Sequence, residues 1–522
     1  MSLSLAAVLA EPAWRRPDKV AVVEGAERRT YRELWNEALD CARALRDAGV
    51  EPGDRVALLC PNTLDFPRAY YGILAAGAVA VPISMLLTAH EIEFILRDSA
   101  AKMLVSHAIR AEDAQKAAGA AGTACRLVGG PMPGWAAGPE VKAGSEPLRS
   151  YLQRMPEDPA VVIYTSGTTG KPKGAVLSHL NLVMNATVNG FDCFDNRPED
   201  IGLGCLPLFH IFGQTVSMNT TFRIGSTVVL QPRFDGGEAI ELMLRHGVNT
   251  FHGVPQMYLG LIHAAKQRAA AGNTELPRLK LAVSGGASLP LTVLEEFGRI
   301  FGTQIMEGYG LSETSPTATV NQPVFGPRAG TVGHQIWGCE VEVARAEVDE
   351  QIELLAPGEL GEIVIRGHNV FTGYLDNPEE TAKAMVDGWF RSGDLGTKDE
   401  AGYVTIMDRK KDMVIRGGFN VYPREVEEEL LRHPAIAQVA VIGLPDDEHG
   451  EEVCACVILK EGAQATAEEI IVWSQERLAR YKYPRVIVFR GEFPLGPSMK
   501  VLKRELRAQV NAERQGADAP EA

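Results

Sequence analysis

From Tyr164 to Gly174 the chain reads YTSGTTGKPKG, and an apolar run, Ala160–Ile163, leads into it as a strand would. Four hydroxyls (Thr165, Ser166, Thr168, Thr169), three glycines (Gly167, Gly170, Gly174) and two lysines (Lys171, Lys173) fall within eleven residues. Glycine lets backbone N–H groups wrap an anion, hydroxyls add hydrogen bonds and lysine neutralises charge. That composition suits a triphosphate. The loop is not a Walker A motif: with Gly170–Lys171 as its GK pair, the earlier glycine position holds Thr165, and Pro172 follows the lysine. Kinase-type phosphoryl transfer therefore gains no support. A flexible loop of small residues is the bland alternative, and the length of the string and its place after a strand argue against it.

Further segments carry chemistry of the same kind. In EGYGLSET (Glu307–Thr314) the Tyr309 ring could stack on a base, as an aromatic face suits adenine. Thr314 could donate to a phosphate and Glu313 could hold Mg²⁺ through a hard carboxylate oxygen. In RSGDLG (Arg391–Gly396) the Asp394 carboxylate could accept from both hydroxyls of a ribose; a turn-forming Asp is the alternative. In DRKKD, Arg409 could hold ribose and phosphate oxygens, while Lys410 reads as a surface charge. The small residues of SGGASLP (Ser284–Pro290) would let backbone approach a flat ligand.

Together with PLFHIFG (Pro207–Gly213), DRKKDMVIRGGFNVYPREVE (Asp408–Glu427) and FPLGPSMKVLKREL near the end, these segments resemble, in order, the motifs of the adenylate-forming superfamily, which contains acyl-CoA synthetases, peptide-synthetase adenylation domains and beetle luciferases. The resemblance runs over most of the chain from residue 160 onward, and fatty acyl-CoA synthetases are the members it points to. It implies an ATP/AMP site made by Thr165, Ser166, Gly167, Thr168, Thr169, Gly170, Lys173, Gly285, Gly286, Ala287, Glu307, Gly308, Tyr309, Gly310, Asp394 and Arg409. It assigns Lys500 as the catalytic lysine bridging carboxylate and α-phosphate, aided by Glu313 (with Mg²⁺) and Thr314. The family has Gly before that lysine where this chain has Met499, and Lys503 is the neighbouring alternative. His210 falls at the acyl-binding wall, Lys411 at the hinge of a mobile small domain, and Gly417 and Gly418 along the pantetheine channel.

The implied reaction is activation of a carboxylic acid by ATP as an acyl-adenylate, followed by transfer to a thiol. Two anions must meet, so cationic and backbone donors are essential; no general base is needed, since the acid is already ionised near neutral pH. Coenzyme A is the expected thiol, with a carrier protein as the other candidate. PLFHIFG offers no carboxylate to hold an α-amine, which argues against an amino acid. Gly310 stands where acetyl enzymes carry Trp, and Gly213 and Gly253 would give room, so a medium- or long-chain fatty acid is expected, with aryl acids as runner-up. A luciferase-like oxygenase and a non-catalytic nucleotide-binding module are the readings from other classes.

The elements that must position these groups alternate. Val20–Glu24, Arg55–Leu59, Ala78–Pro82 and Ala101–Ser106 read as strands, and Tyr31–Ala48 and Phe66–Ala76 as helices. Val228–Leu230, Thr250–Gly253 and Lys280–Ser284 continue the pattern, which implies layered α/β architecture. Residues 111–147 read as a variable loop and the tail after Arg514 as disordered. The expected fold is α/β: a large N-terminal domain (1–409) of layered α/β subdomains plus a β-rich subdomain, followed by a small mobile α+β lid domain (410–522). With 522 residues, 45% of them apolar, the chain can bury large cores. A net charge of −15 argues against a nucleic-acid partner. Eight cysteines without CxxC spacing suit a reducing cytosol, and Cys454 and Cys456 read as core residues on one strand face. The apolar run Ala69–Ile83 is too short to span a bilayer, and no basic region precedes the first apolar stretch, so a cytoplasmic protein is expected. A homodimer is left open.

Overall fold

The structure, a computed structural model, describes residues 3–129, 148–165, 172–496 and 500–517. Among them the strands form four sheets. In the first, Val79–Pro82, Arg55–Leu59, Met103–His107 and Ala124–Val128 run parallel. The strand Pro159–Thr165 joins this set and turns back antiparallel through Lys173–Ser178. Thr165 pairs with Lys173 in that hairpin, so both ends of the hydroxyl- and lysine-rich loop are set by sheet register; residues 166–171 lie outside the described residues.

The second sheet has a parallel centre, Ile305–Gly310 beside Leu281–Ser284, Thr250–Gly253, Ile201–Gly204, Thr227–Leu230 and Val20–Glu24. Its central strands are buried along their length, as strands covered on both faces must be. Helices pack on these sheets for reasons legible locally. Tyr31–Asp47 starts at a capping box made by Thr30 and Glu33, buries Leu34, Ala38, Cys41 and Leu45, and stops before Gly49.

A third, antiparallel sheet carries Cys339–Ala344, Gly361–Gly367, Trp389–Lys398 and Val404–Arg409. Residues 410–413 then lead to a fourth sheet with its own core, in which Val414, Val421, Val441, Val453, Ala455 and Val457 pack against Val426 and Leu430 of helix Pro423–Leu430. On its other face Cys454 and Cys456 pack with Leu506 and Val510 of helix Lys503–Ala517.

Two expectations need correcting. Residues 111–147 do not begin as a loop: Ala111–Ala121 is a helix and Ala124–Val128 an edge strand, because an alanine run is strongly helix-forming even when it offers few bulky residues. Likewise the last helix continues past Arg514 to Ala517, carried by the turns that Leu506 and Val510 anchor. No helix among the described residues is long and apolar enough to cross a membrane.

Candidate active site

A cavity of about 1970 Å³ is lined by residues of the first three sheets and closed by Lys410, Lys411, Gly496, Lys500, Val501 and Leu502. Its lining includes Thr165, Lys173, His210, Gly285, Gly286, Gly308, Tyr309, Gly310, Glu313, Asp394, Arg409, Lys411 and Lys500. The ends of the hydroxyl-rich loop therefore share one space with Asp394, the arrangement a single bound nucleotide requires. The loop's Ser166, Gly167, Thr168, Thr169 and Gly170 lie outside the described residues, as does Met499.

The nucleotide side is built from three elements. Asp394 and Arg409 are register partners across the antiparallel strands Trp389–Lys398 and Val404–Arg409, and their side chains form an ion pair at 3.2 Å. The Tyr309 hydroxyl, reaching over from the second sheet, donates to the other Asp394 oxygen at 2.7 Å. Asp394 is only 4% exposed; burial raises its pKa, and Arg409 and the Tyr309 bond oppose that rise. Glu307 is also buried. Its carboxylate accepts from the Leu289 N–H at 3.0 Å, which ties the strand Ile305–Gly310 to the SGGASLP turn, and burial lifts its pKa to about 7.

Lys500 enters from the small domain. Its side chain passes 3.5 Å from where a Cβ on Gly286 would stand. Burial first, then Arg409, lowers its pKa to about 8, while Asp394 and Glu313 pull the other way. The neighbouring Lys503 points elsewhere and pairs with Glu427 at 2.7 Å. His210 faces the same space; burial, with Lys500 second, lowers its pKa to about 4, so it is neutral at ordinary pH.

Glu313 is 8% exposed, and burial raises its pKa. The Tyr374 hydroxyl donates to it at 2.8 Å. No lysine or arginine among the described residues stands within ion-pair distance of it. A buried carboxylate on the cavity wall with a hydroxyl behind it and no ion-pair partner among the described residues fits a hard divalent ion such as Mg²⁺. Lys173 pairs with Glu380 and lies over the Tyr374 ring at 5.3 Å from its centre. Tyr374 is a site residue that sequence reasoning missed; it stands alone in FTGYLDNP, and only the hairpin partner of the loop brings it in.

Several expected residues sit differently from expectation. Thr314 does not line the cavity: it is fully buried, accepts from the Leu311 N–H at 2.8 Å and spends its proton on the Pro316 carbonyl. It holds the turn that presents Glu313. Gly310 is not a spacer for a long acid, since a Cβ there would stand 1.8 Å from the Pro316 carbonyl oxygen. The backbone itself demands glycine. Gly213 likewise abuts the Pro207 carbonyl, and Gly253 abuts the Phe251 ring; neither lines the cavity. Ala287 faces the adjoining cleft between the domains, shared with Gly286 and Lys411. Gly417 and Gly418 form the two-residue turn between Val414–Arg416 and Phe419–Val421 with φ of +56° and +82°, as such a hairpin turn requires, and in this conformation they stand outside the cavity.

Comparison with known proteins agrees with this geometry. Residues 9–375 match the model of the AMP-binding enzyme family, and residues 425–500 that of the AMP-binding enzyme C-terminal domain. The chain is 35% identical to a long-chain-fatty-acid–CoA ligase of Bacillus subtilis (strain 168), over 96% of this chain and 94% of that protein. It is 36% identical to a feruloyl-CoA synthase of Amycolatopsis sp, over 94% and 96% of the two chains. The crystal structure of ATP-bound MatB from Rhodopseudomonas palustris superposes with a TM-score of 0.90 at 32% identity, over 98% of this chain and 99% of that one. On these matches and on the shared cavity, the chain belongs to the AMP-binding enzyme family and, within it, to the AMP-forming acyl-CoA synthetases.

Proposed function

We propose that this enzyme adenylates a carboxylic acid with an apolar body, a medium- or long-chain fatty acid first, and passes the acyl group to coenzyme A. One observation carries the reading: Lys500, Arg409, Asp394, Tyr309 and Glu313 share a cavity with both ends of the 166–171 loop. The acid's carboxylate oxygen attacks the α-phosphorus of ATP, and pyrophosphate leaves with the electron pair of the broken P–O bond. Asp394 and Tyr309 suit the ribose and adenine, and Arg409 suits the adjoining oxygens. The Lys500 ammonium stands where it can lie between carboxylate and α-phosphate, so it relieves the repulsion between two anions as they close. Mg²⁺ held at Glu313 would supply further neutralisation of phosphate charge. In the second step the thiol sulfur attacks the acyl carbon, AMP leaves, and the thiol proton passes to solvent.

That thiol needs access that Lys500 blocks. The domain boundary at residues 409–410, with Lys411 as hinge, would let the small domain swing away and bring Gly417 and Gly418 to the channel, a lid-type step. Room for an apolar acid is supported by Phe209, Phe212 and Val216 on the cavity wall beside His210. The same aromatic wall, with the feruloyl-CoA synthase relative, supports aryl acids as a second reading.

The test is pyrophosphate release from ATP over a panel of fatty and aryl acids, with and without coenzyme A. The reading expects release that depends on the acid and thioester that forms only with coenzyme A. Acid-independent release, or none with any acid, sinks it.

A further inference from the structure

Asp394 owes its place on the cavity wall to an irregularity in the third sheet. Glu362 pairs with Leu395 and Val364 with Arg391, so Ser392, Gly393 and Asp394 stand opposite the single residue Ile363. Such a bulge bends its strand and re-aims side chains, and bulges gather beside active sites. Gly393 permits this one. Its φ is +73°, and nothing lies within 4 Å of where a Cβ would stand, so conformation rather than crowding favours glycine. Residues taken out of the ladder need other partners for their backbone polar groups. The Asp394 N–H donates to the Ser392 hydroxyl at 3.1 Å, and that hydroxyl donates to the Ile363 carbonyl at 2.7 Å. The Gly393 carbonyl accepts from the Lys410 N–H at 2.9 Å. The Gly393 N–H donates to a side chain instead, Glu362 Oε1, at 3.0 Å. The other oxygen of Glu362 holds Arg391, at 3.1 Å from Nε and 2.6 Å from Nη2. The Glu362 and Arg391 side chains are 4% and 7% exposed. One buried carboxylate thus grips the bulge at Gly393 and at Arg391 together.

We propose that Glu362 is a positioning residue for the nucleotide: by holding the Gly393 N–H it aims Asp394 at the ribose. This rests on the reading above, in which Asp394 meets the ribose of ATP. The Asp394 side chain keeps 6% of its surface exposed on the cavity wall. Each of its oxygens has one partner, Arg409 or Tyr309, and a carboxylate oxygen can accept a second bond. The ribose hydroxyls take those places. A buried ion pair that only stapled the sheet would need both Glu362 oxygens for the guanidinium. Here one of them is spent on the backbone of the bulge, one residue before Asp394.

The experiment compares two double variants that leave no buried charge unpaired. Glu362→Met/Arg391→Met removes the ion pair and the acceptor for Gly393. Glu362→Gln/Arg391→Met removes the ion pair but keeps an amide oxygen for that N–H. Replacing a buried ion pair by apolar side chains is often neutral for stability, so both should keep a Tm near that of the wild type. The measurement is kcat/KM for acid-dependent pyrophosphate release with ATP and with 2′-deoxy-ATP. The wild type should prefer ATP by about tenfold or more, since a carboxylate aimed at a hydroxyl rejects the analogue lacking it. Glu362→Met/Arg391→Met should bring that ratio close to one and raise KM for ATP, with KM for the acid unchanged. Glu362→Gln/Arg391→Met should restore the ratio. If the doubly Met variant does not fold, Glu362→Asp decides: it keeps a charge for Arg391 but falls a methylene short of holding Gly393 as well, and the ratio should again drop toward one. Equal use of both nucleotides by the wild type overturns the proposal while leaving the ligase reading in place. So does a ratio that survives in folded Glu362→Met/Arg391→Met or Glu362→Asp protein, or one that the Gln substitution fails to restore. No release with any acid removes that reading and the proposal with it.

Discussion

At one end of the cavity Asp394, Arg409, Glu313 and Lys500 crowd together, buried and mutually perturbed, with the tyrosines 309 and 374 bonded to the two carboxylates. Elsewhere on the same wall Asn189, Phe194, Val216, Val283, Thr317 and Val320 present no charge. In the proposed reaction the charged group offsets the repulsion between a carboxylate and a triphosphate, and only charge that is already desolvated and oriented does so strongly. In that reaction the neutral group would meet the body of the acid, where a charge would have to be stripped of water with nothing in return. On the proposed function, reaction and selection use different groups of one wall: ionic groups for the step common to all acids, neutral groups for the choice among them.

The largest expected break in this contrast is Lys500→Ala. Acid-dependent pyrophosphate release should fall about a thousandfold, the scale set by removing one pre-oriented donor from a developing charge, with the ratio between different acids little altered. If the loss is small, the bridging role belongs elsewhere. A sharper version uses pH. The Lys500 pKa is lowered to about 8, so the ammonium is present below that pH and lost above it. In the wild type kcat/KM for adenylation should therefore decline by about tenfold per pH unit above the bend. That alkaline limb should be missing from the residual activity of Lys500→Ala. The smallest expected effect is Lys503→Ala. Lys503 pairs with Glu427 inside the small domain, outside the cavity, so a loss on the order of 1 kcal/mol should show as a Tm lower by a few degrees. A collapse of activity in a folded Lys503→Ala protein would make the two lysines equivalent and dissolve the distinction.

How much of this could be read beforehand differs by residue. Strands such as Val20–Glu24, Arg55–Leu59 and Thr250–Gly253 appear where their apolar runs place them, since a strand covered on both faces needs every side chain apolar. Asp394, Arg409 and Tyr309 announce themselves because their segments keep a recognisable order. Gly310, Gly213 and Gly253 misled: a missing side chain was taken for open space, whereas carbonyls and a ring fill the places a Cβ would take. Thr314 misled in the same way, because a hydroxyl's partner is set by the turn around it. Tyr374 carried no local signal at all.

By itself the sequence determined the chemistry on offer: a loop of hydroxyls, glycines and lysines, an Asp, an Arg, a Glu and a late Lys in a telling order, and the apolar runs that must become buried strands and helices. The tertiary structure alone decided which of these meet. Asp394 faces Arg409 through sheet register, Tyr309 comes to them from a different sheet, and Lys500 rather than Lys503 enters the cavity. Residue type and spacing fix what a side chain can do, but its charge state and partners depend on burial and neighbours hundreds of residues away, and those exist only once the chain has folded.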